Sequence, residues 1–186
     1  DTQVVMHVEA LDPGHVLLEL HRRRGLVETG DERQRCKETR ERSHQGHPAD
    51  DTGVLVAVGD EADRYYKPCR DLLETDQGPL VTNALVVAET AYMLRRGLGG
   101  VAELALLEMI RDGTLLVVNL LPEDWDRVAE LVERYDDLGL GVTDASVIDM
   151  AERLGASRVA TLDRAHFRVV RPRHLPAFEF LPNVAE

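Results

Sequence analysis

The chain has 186 residues, with 22 Lys and Arg against 34 Asp and Glu, a formal net charge of -12. That length suits one domain plus an appendage. The acidic excess argues against loose, sequence-blind binding to nucleic acid, which relies on a basic surface, but it leaves open a site whose acids are screened by bound metal.

Residues 1–48 stand apart. They hold five of the seven histidines, His7, His15, His21, His44 and His47, and a mixed-charge run over residues 31–42 with hardly an apolar side chain. Residues 16–20 can form a turn or two of helix. The remainder is too polar to build its own core, so a poorly ordered extension is expected. His44 and His47 are spaced like a metal pair, although histidines on a polar, Pro-flanked segment are ordinarily solvated.

The folded domain is expected over residues 49–183, with 184–186 as a tail. Residues 54–58 form a short apolar run. Residues 63–74 have helical spacing, with Tyr66, Leu72 and Leu73 inward. Gln77-Gly78-Pro79 breaks that helix, and residues 80–82 read as a short strand. Residues 84–96 form a strongly apolar helix. It ends in Arg95-Arg96-Gly97, cations and glycine where a helix C-terminus favours them. A second helix over 101–110 stops at Asp112-Gly113, and the β-branched run 115–121 is a buried strand. Pro122 opens the next helix, with Glu123 and Asp124 suited to its positive end. That helix runs to about residue 137, with Trp125, Val128, Leu131, Val132 and Tyr135 at core-facing spacings.

Asp144 then opens an amphipathic helix that closes at Gly155. Residues 159–162 form a strand that delivers Asp163, and residues 178–181 alternate like an edge strand. Strands separated by helices imply right-handed crossovers, hence a three-layer α/β/α fold around a mostly parallel sheet. Such sheets bind ligands beyond the carboxyl ends of their strands.

Four acids stand at informative places. Glu89 shares its helix face with Leu85, Val86, Tyr92 and Met93. A carboxylate buried there without a partner would cost several kcal/mol or change its protonation. Pairing with Arg95, Arg96 or another arginine is the ordinary alternative. Asp144 can be a helix cap or first-turn acid, Asp163 can begin a turn, and Asp51 can do either. As a group they need cations, because like charges that close cannot all ionise. Hard divalent ions with oxygen ligands, Mg²⁺ or Mn²⁺, meet that need. No Cys/His spacing suggests zinc, no Walker-type phosphate loop appears, and neither Ser146 nor Ser157 has an evident histidine partner.

Asp51-Thr52-Gly53 before an apolar helix, Val86-Val87-Ala88-Glu89, Thr143-Asp144-Ala145-Ser146, and Thr161-Leu162-Asp163-Arg164 with His166-Phe167 resemble the PIN-domain family, above all its VapC-type toxins. The resemblance spans about residues 49–182. It implies a parallel-sheet α/β fold, Mg²⁺- or Mn²⁺-dependent cleavage of RNA, a homodimer, and neutralisation by a cognate antitoxin. By the same resemblance Asp51, Glu89, Asp144 and Asp163 form the catalytic, metal-holding site. Two departures stand out. The first acid follows His47-Pro48-Ala49-Asp50, a poor strand because Pro and Asp weaken central pairing. The family's serine position is also Gly53.

The expectation is therefore an endoribonuclease, the toxin of a type II toxin–antitoxin pair. Arg95, Arg96 and Arg164 would receive the RNA backbone, with Arg168, Arg171 and Arg173 as further candidates. His166 is expected to be a structural hydrogen-bonder rather than a general base. Trp125 and Tyr135 are expected at the core or a dimer surface rather than as base-stacking platforms. Two cysteines, Cys36 and Cys69, make no disulfide framework and point to a reducing cytoplasm. No apolar run reaches the ~18 residues of a membrane span, and no signal peptide is visible. One alternative is a PIN-like module that binds antitoxin or RNA without cutting. Another is a receiver-like phosphoacceptor domain, but its usual lysine is missing, since Lys37 and Lys67 are badly placed.

Overall fold

The computed structural model describes residues 5–7, 53–75 and 80–184. In chain order the elements are β1 (Val5–His7), α1 (Val54–Gly59), α2 (Tyr66–Thr75), β2 (Leu80–Thr82), α3 (Ala84–Gly97) and α4 (Gly100–Asp112). They continue with β3 (Leu115–Val117), α5 (Asp124–Arg134), a 3-10 turn (Asp136–Leu138), α6 (Val142–Leu154), β4 (Arg158–Ala160), α7 (Ala165–Val169) and β5 (Glu179–Leu181). The sheet order is β3-β2-β1-β4-β5. The β2–β3 and β4–β5 pairs are parallel. β1 runs antiparallel to both neighbours, with Met6 opposite Val81 and Val159. Four strands therefore share one direction and the central one opposes them.

Alternation along the strands builds the three layers, because successive side chains point to opposite faces. Val81 and Val159 enter a core with Val128, Leu131, Ile148, Met150 and Phe167 from α5, α6 and α7. Their neighbours Leu80 and Ala160 enter the opposite core with Val54, Leu55, Leu94, Leu106 and Leu115. Both faces of the sheet are covered, which is why these strands read as continuous apolar runs. Each fully buried Leu, Ile or Phe contributes roughly 1.5–3 kcal/mol through removal from water.

Several boundaries differ from expectation. The strand expected over 115–121 stops at Val117. The chain then turns toward α5, and Asp124 Oδ2 accepts from the Leu121 amide at 2.8 Å. With α5 starting at Asp124, the inward positions are Asp124, Arg127, Val128 and Leu131. Trp125 falls on the neighbouring face and is 47% exposed, so its core-facing spacing does not bring it into the core, and of the two places expected for it a dimer surface is the one left. The expected edge strand is observed as β5. The least expected element is β1, which lies inside the segment read as a loose extension. Residues 4–6, Val-Val-Met, are a short apolar run within that segment.

Candidate active site

β2, β3 and β4 end at one edge of the sheet, and the helices that follow them begin there. Asn83, directly after β2, caps α3: its Oδ1 accepts from the amides of Leu85 at 2.9 Å and Val86 at 3.3 Å. Its Nδ2 donates to Ser146 Oγ at 2.9 Å, and Ser146 Oγ donates to the Thr143 carbonyl at 2.6 Å. Asn83 and Ser146 are fully buried. This pair fastens the start of α3, which carries Glu89, to the start of α6, which carries Asp144. Ser146 is thereby a structural hydroxyl and not a nucleophile. Sequence reasoning passed over Asn83, although an Asn between a strand and an apolar helix is a capping signal.

Asp144 occupies the first turn of α6, whose N-cap is the extended Gly141. It is a first-turn acid rather than the cap. Its Oδ2 lies 2.9 Å from His166 Nδ1, and His166 Nε2 lies 3.0 Å from the Leu138 carbonyl. Its Oδ1 is buried, with no hydrogen-bond partner among the described residues. Burial pushes the Asp144 carboxyl up to about 6. Contact with His166 opposes that shift, and the negative charges of Asp163 and Glu89 add to it. Asp163 and Glu89 thus raise the electrostatic cost of ionising the buried Asp144.

Glu89 lies on α3 with Oε2 buried and without a hydrogen-bond partner among the described residues. The arginines that could have paired with it are engaged elsewhere. Arg95 binds Glu103 at 2.9 Å, and Arg96 donates to the Tyr92 hydroxyl at 2.8 Å. Asp163 follows β4 and also begins a turn, its Oδ1 accepting from the Ala165 amide at 3.1 Å. The Thr161 hydroxyl donates to the Asp163 carbonyl at 2.8 Å and fixes that turn. Both proposed roles of Asp163, turn and site, are thus compatible. Asp51 lies outside the described residues. Among the described residues, no three His, Cys, Asp or Glu side chains gather tightly enough to hold an ion by themselves.

Of the candidate RNA-binding arginines, Arg164 is next to the acids, donating to the Pro182 carbonyl at 2.6 Å and lying 5.8 Å over the Phe180 ring. Arg95 lies six residues beyond Glu89 on α3, roughly 9 Å along the helix axis at 1.5 Å per residue. His166 is the structural hydrogen-bonder that was expected, but its partner, an acid of the site, was not foreseeable from spacing alone. No helix among the described residues is long and apolar enough to cross a membrane.

An α/β/α core around a mostly parallel sheet defines the fold class, and the PIN domain family model matches residues 51–172. The chain belongs to the PIN-domain family, and within it to the VapC-type toxins. It is 30% identical over 132 residues to Ribonuclease VapC26 of Mycobacterium tuberculosis, covering 71% of this chain and 98% of that protein. The crystal structure of Mycobacterium tuberculosis VapC20, described as a sarcin-ricin loop cleaving toxin, superposes with a TM-score of 0.53. That match has 19% identity and covers 56% of this chain and 81% of VapC20, so it speaks to the fold.

Proposed function

We propose that this protein is a divalent-cation-dependent endoribonuclease, the toxin of a type II toxin–antitoxin pair acting in the cytoplasm. Its cognate antitoxin would be the partner that restrains it, and a homodimer is the assembly its family suggests. Asp51, Glu89, Asp144 and Asp163 are the residues proposed to hold Mg²⁺ or Mn²⁺. The observation that carries the proposal is the pair of buried oxygens without partners, Glu89 Oε2 and Asp144 Oδ1, on helices fastened to each other by Asn83 and Ser146. Leaving such atoms unsatisfied is costly, and hard oxygen donors of this kind suit a hard divalent cation. When bound, the cation supplies Lewis-acid activation of the attacking water and offsets charge on the scissile phosphate.

The chain's own groups then have distinct tasks. Asp144 is the buried carboxylate at the centre. Glu89 approaches it from α3 and is suited to hold or orient the water. Asp163 approaches from the end of β4. Arg164, beside Asp163, is positioned to meet a phosphate of the RNA backbone. The test is cleavage of RNA in Mg²⁺ or Mn²⁺ by the intact protein and by Asp144→Asn. Cleavage only by the intact protein is expected, and equal activity in both would refute the site.

A second reading has one observation in its favour. Among the described residues, the central position of the sheet is held by the antiparallel β1, far from Asp51 in the sequence. A chain whose first acid is displaced would bind antitoxin or RNA without cutting. Metal binding without turnover in the same assay would favour it.

A further inference from the structure

His166 joins three parts of the site. It belongs to α7, three residues after Asp163, and the backbone turn between them is closed by Asp163 Oδ1 and the Ala165 amide. One ring nitrogen, Nε2, faces the Leu138 carbonyl at 3.0 Å. A carbonyl oxygen can only accept, so Nε2 carries a hydrogen toward it. The ring is then held with Nδ1 against Asp144 Oδ2 at 2.9 Å. That contact occupies one carboxylate oxygen and leaves Oδ1, the buried one without a partner, as the oxygen free to ligate. Leu138 ends the 3-10 turn just before α6, so the same ring also ties down the approach to the helix that carries Asp144.

We propose that His166 is a positioning residue for the acidic site. It presents Asp144 Oδ1 to the cation by holding Oδ2, and it sets the placement of Asp144 relative to Asp163 by bridging their two segments. The inference rests on the acidic-site reading above. Groups that orient metal-ligating carboxylates commonly matter about 10–100-fold in metal affinity or activity.

Two amide variants separate the two ends of the ring. The side-chain nitrogen of Asn falls near the place of histidine Nδ1, and that of Gln falls near Nε2. His166→Asn can therefore still donate to Asp144 while losing Leu138, whereas His166→Gln keeps Leu138 and loses Asp144. The experiment measures Mn²⁺ binding to the purified full-length chain by electron paramagnetic resonance, together with thermal unfolding and the kcat and KM for RNA. His166→Gln is expected to bind Mn²⁺ at least about 10-fold more weakly, with kcat restored in part by excess Mn²⁺ and an unfolding temperature close to that of the parent. His166→Asn is expected to stay within about threefold of the parent in Mn²⁺ affinity. Parent-like affinity in His166→Gln, or equal losses in both variants, would overturn the inference while leaving the acidic site standing. A parent protein that binds Mn²⁺ no better than Asp144→Asn would remove the acidic site and this inference together.

Discussion

Glu89 and Asp144 were readable as candidates because a lone carboxylate among apolar neighbours demands an explanation, and each does bury an oxygen without a partner. Asp144→Asn removes one negative charge from a place where burial and two neighbouring acids already oppose ionisation. We expect it to unfold within about 1 kcal/mol of the parent, as conservative changes commonly do. Its RNA cleavage should fall on the order of 100-fold or more, since loss of a group merely adjacent to a metal ligand already costs about 10–100-fold. Chemical denaturation alongside a cleavage assay checks both halves.

Asp149 offers a separate test, five residues further along α6. It is buried, its Oδ2 has no partner, and its carboxyl is pushed up to about 6, by burial first and then by Asp124. A folded-state pKa above the unfolded value of about 3.9 means that the native state holds this proton more tightly. Its stabilising contribution is complete below about pH 4 and is lost as the pH rises through about 6. Asp149→Asn should therefore be more stable than the parent at pH 7, by about 1 kcal/mol once solvent screening and the nearby Arg127 and Arg153 are allowed for. The advantage should vanish near pH 4. Urea midpoints at the two pH values measure it, and an equal difference at both would refute the assignment.

At the scale of elements, the site is held by ties between helices that the sequence hardly announces. Asn83 spans α3 and α6 through its two functions, capping one helix and donating to Ser146 of the other. Asn83→Ala loses a cap worth about 1 kcal/mol and a buried hydrogen bond worth about as much again. A loss near 2 kcal/mol by denaturation is expected, together with weaker cleavage, because Glu89 and Asp144 would no longer keep their spacing.

The α5–α6 contact is unusual in burying an ion network. Arg127 donates to both oxygens of Glu152, at 3.0 and 2.7 Å, and also meets Glu130 at 3.0 Å. Helical spacing marked Trp125 as inward and passed over Arg127, because the helix start decides the register and that start lies two residues past Pro122. Among the described residues, Arg127→Ala would leave Glu152 with the Arg173 amide at 3.0 Å as its hydrogen-bond donor. The cost expected is about 3–5 kcal/mol, the usual consequence of removing one partner of a buried pair. Replacing both partners, Arg127→Met with Glu152→Leu, should recover much of that loss, and a double variant as unstable as the single one would contradict this account.

For the whole molecule, the layers and the crossovers were legible because they follow from local signals: period-3.6 helices, short apolar strands and glycine stops such as Gly155, at φ 67. What was not legible was the occupant of the central strand position, because pairing between distant segments leaves no periodic trace. Pro48 and Asp50 made the stretch before Asp51 a poor strand, and the structure places Val5–His7 in the centre of the sheet instead. The side of the sheet where β4 ends, ahead of Asp163, thus meets the amino end of β1, as the register of Val5 opposite Ala160 requires. A central strand pairs on both sides, so its removal deprives β2 and β4 of partners at once and splits the sheet in two. Deleting residues 1–8 from the full-length chain should therefore abolish cooperative thermal unfolding, or lower its midpoint by more than about 10 °C, given that 1 kcal/mol shifts the midpoint of a domain this size by about 2–4 °C. Circular dichroism and calorimetry decide the matter. A truncated chain with parental cooperativity would show that another segment fills the centre of the sheet, and the residues just ahead of Asp51 would be the first to examine by hydrogen exchange.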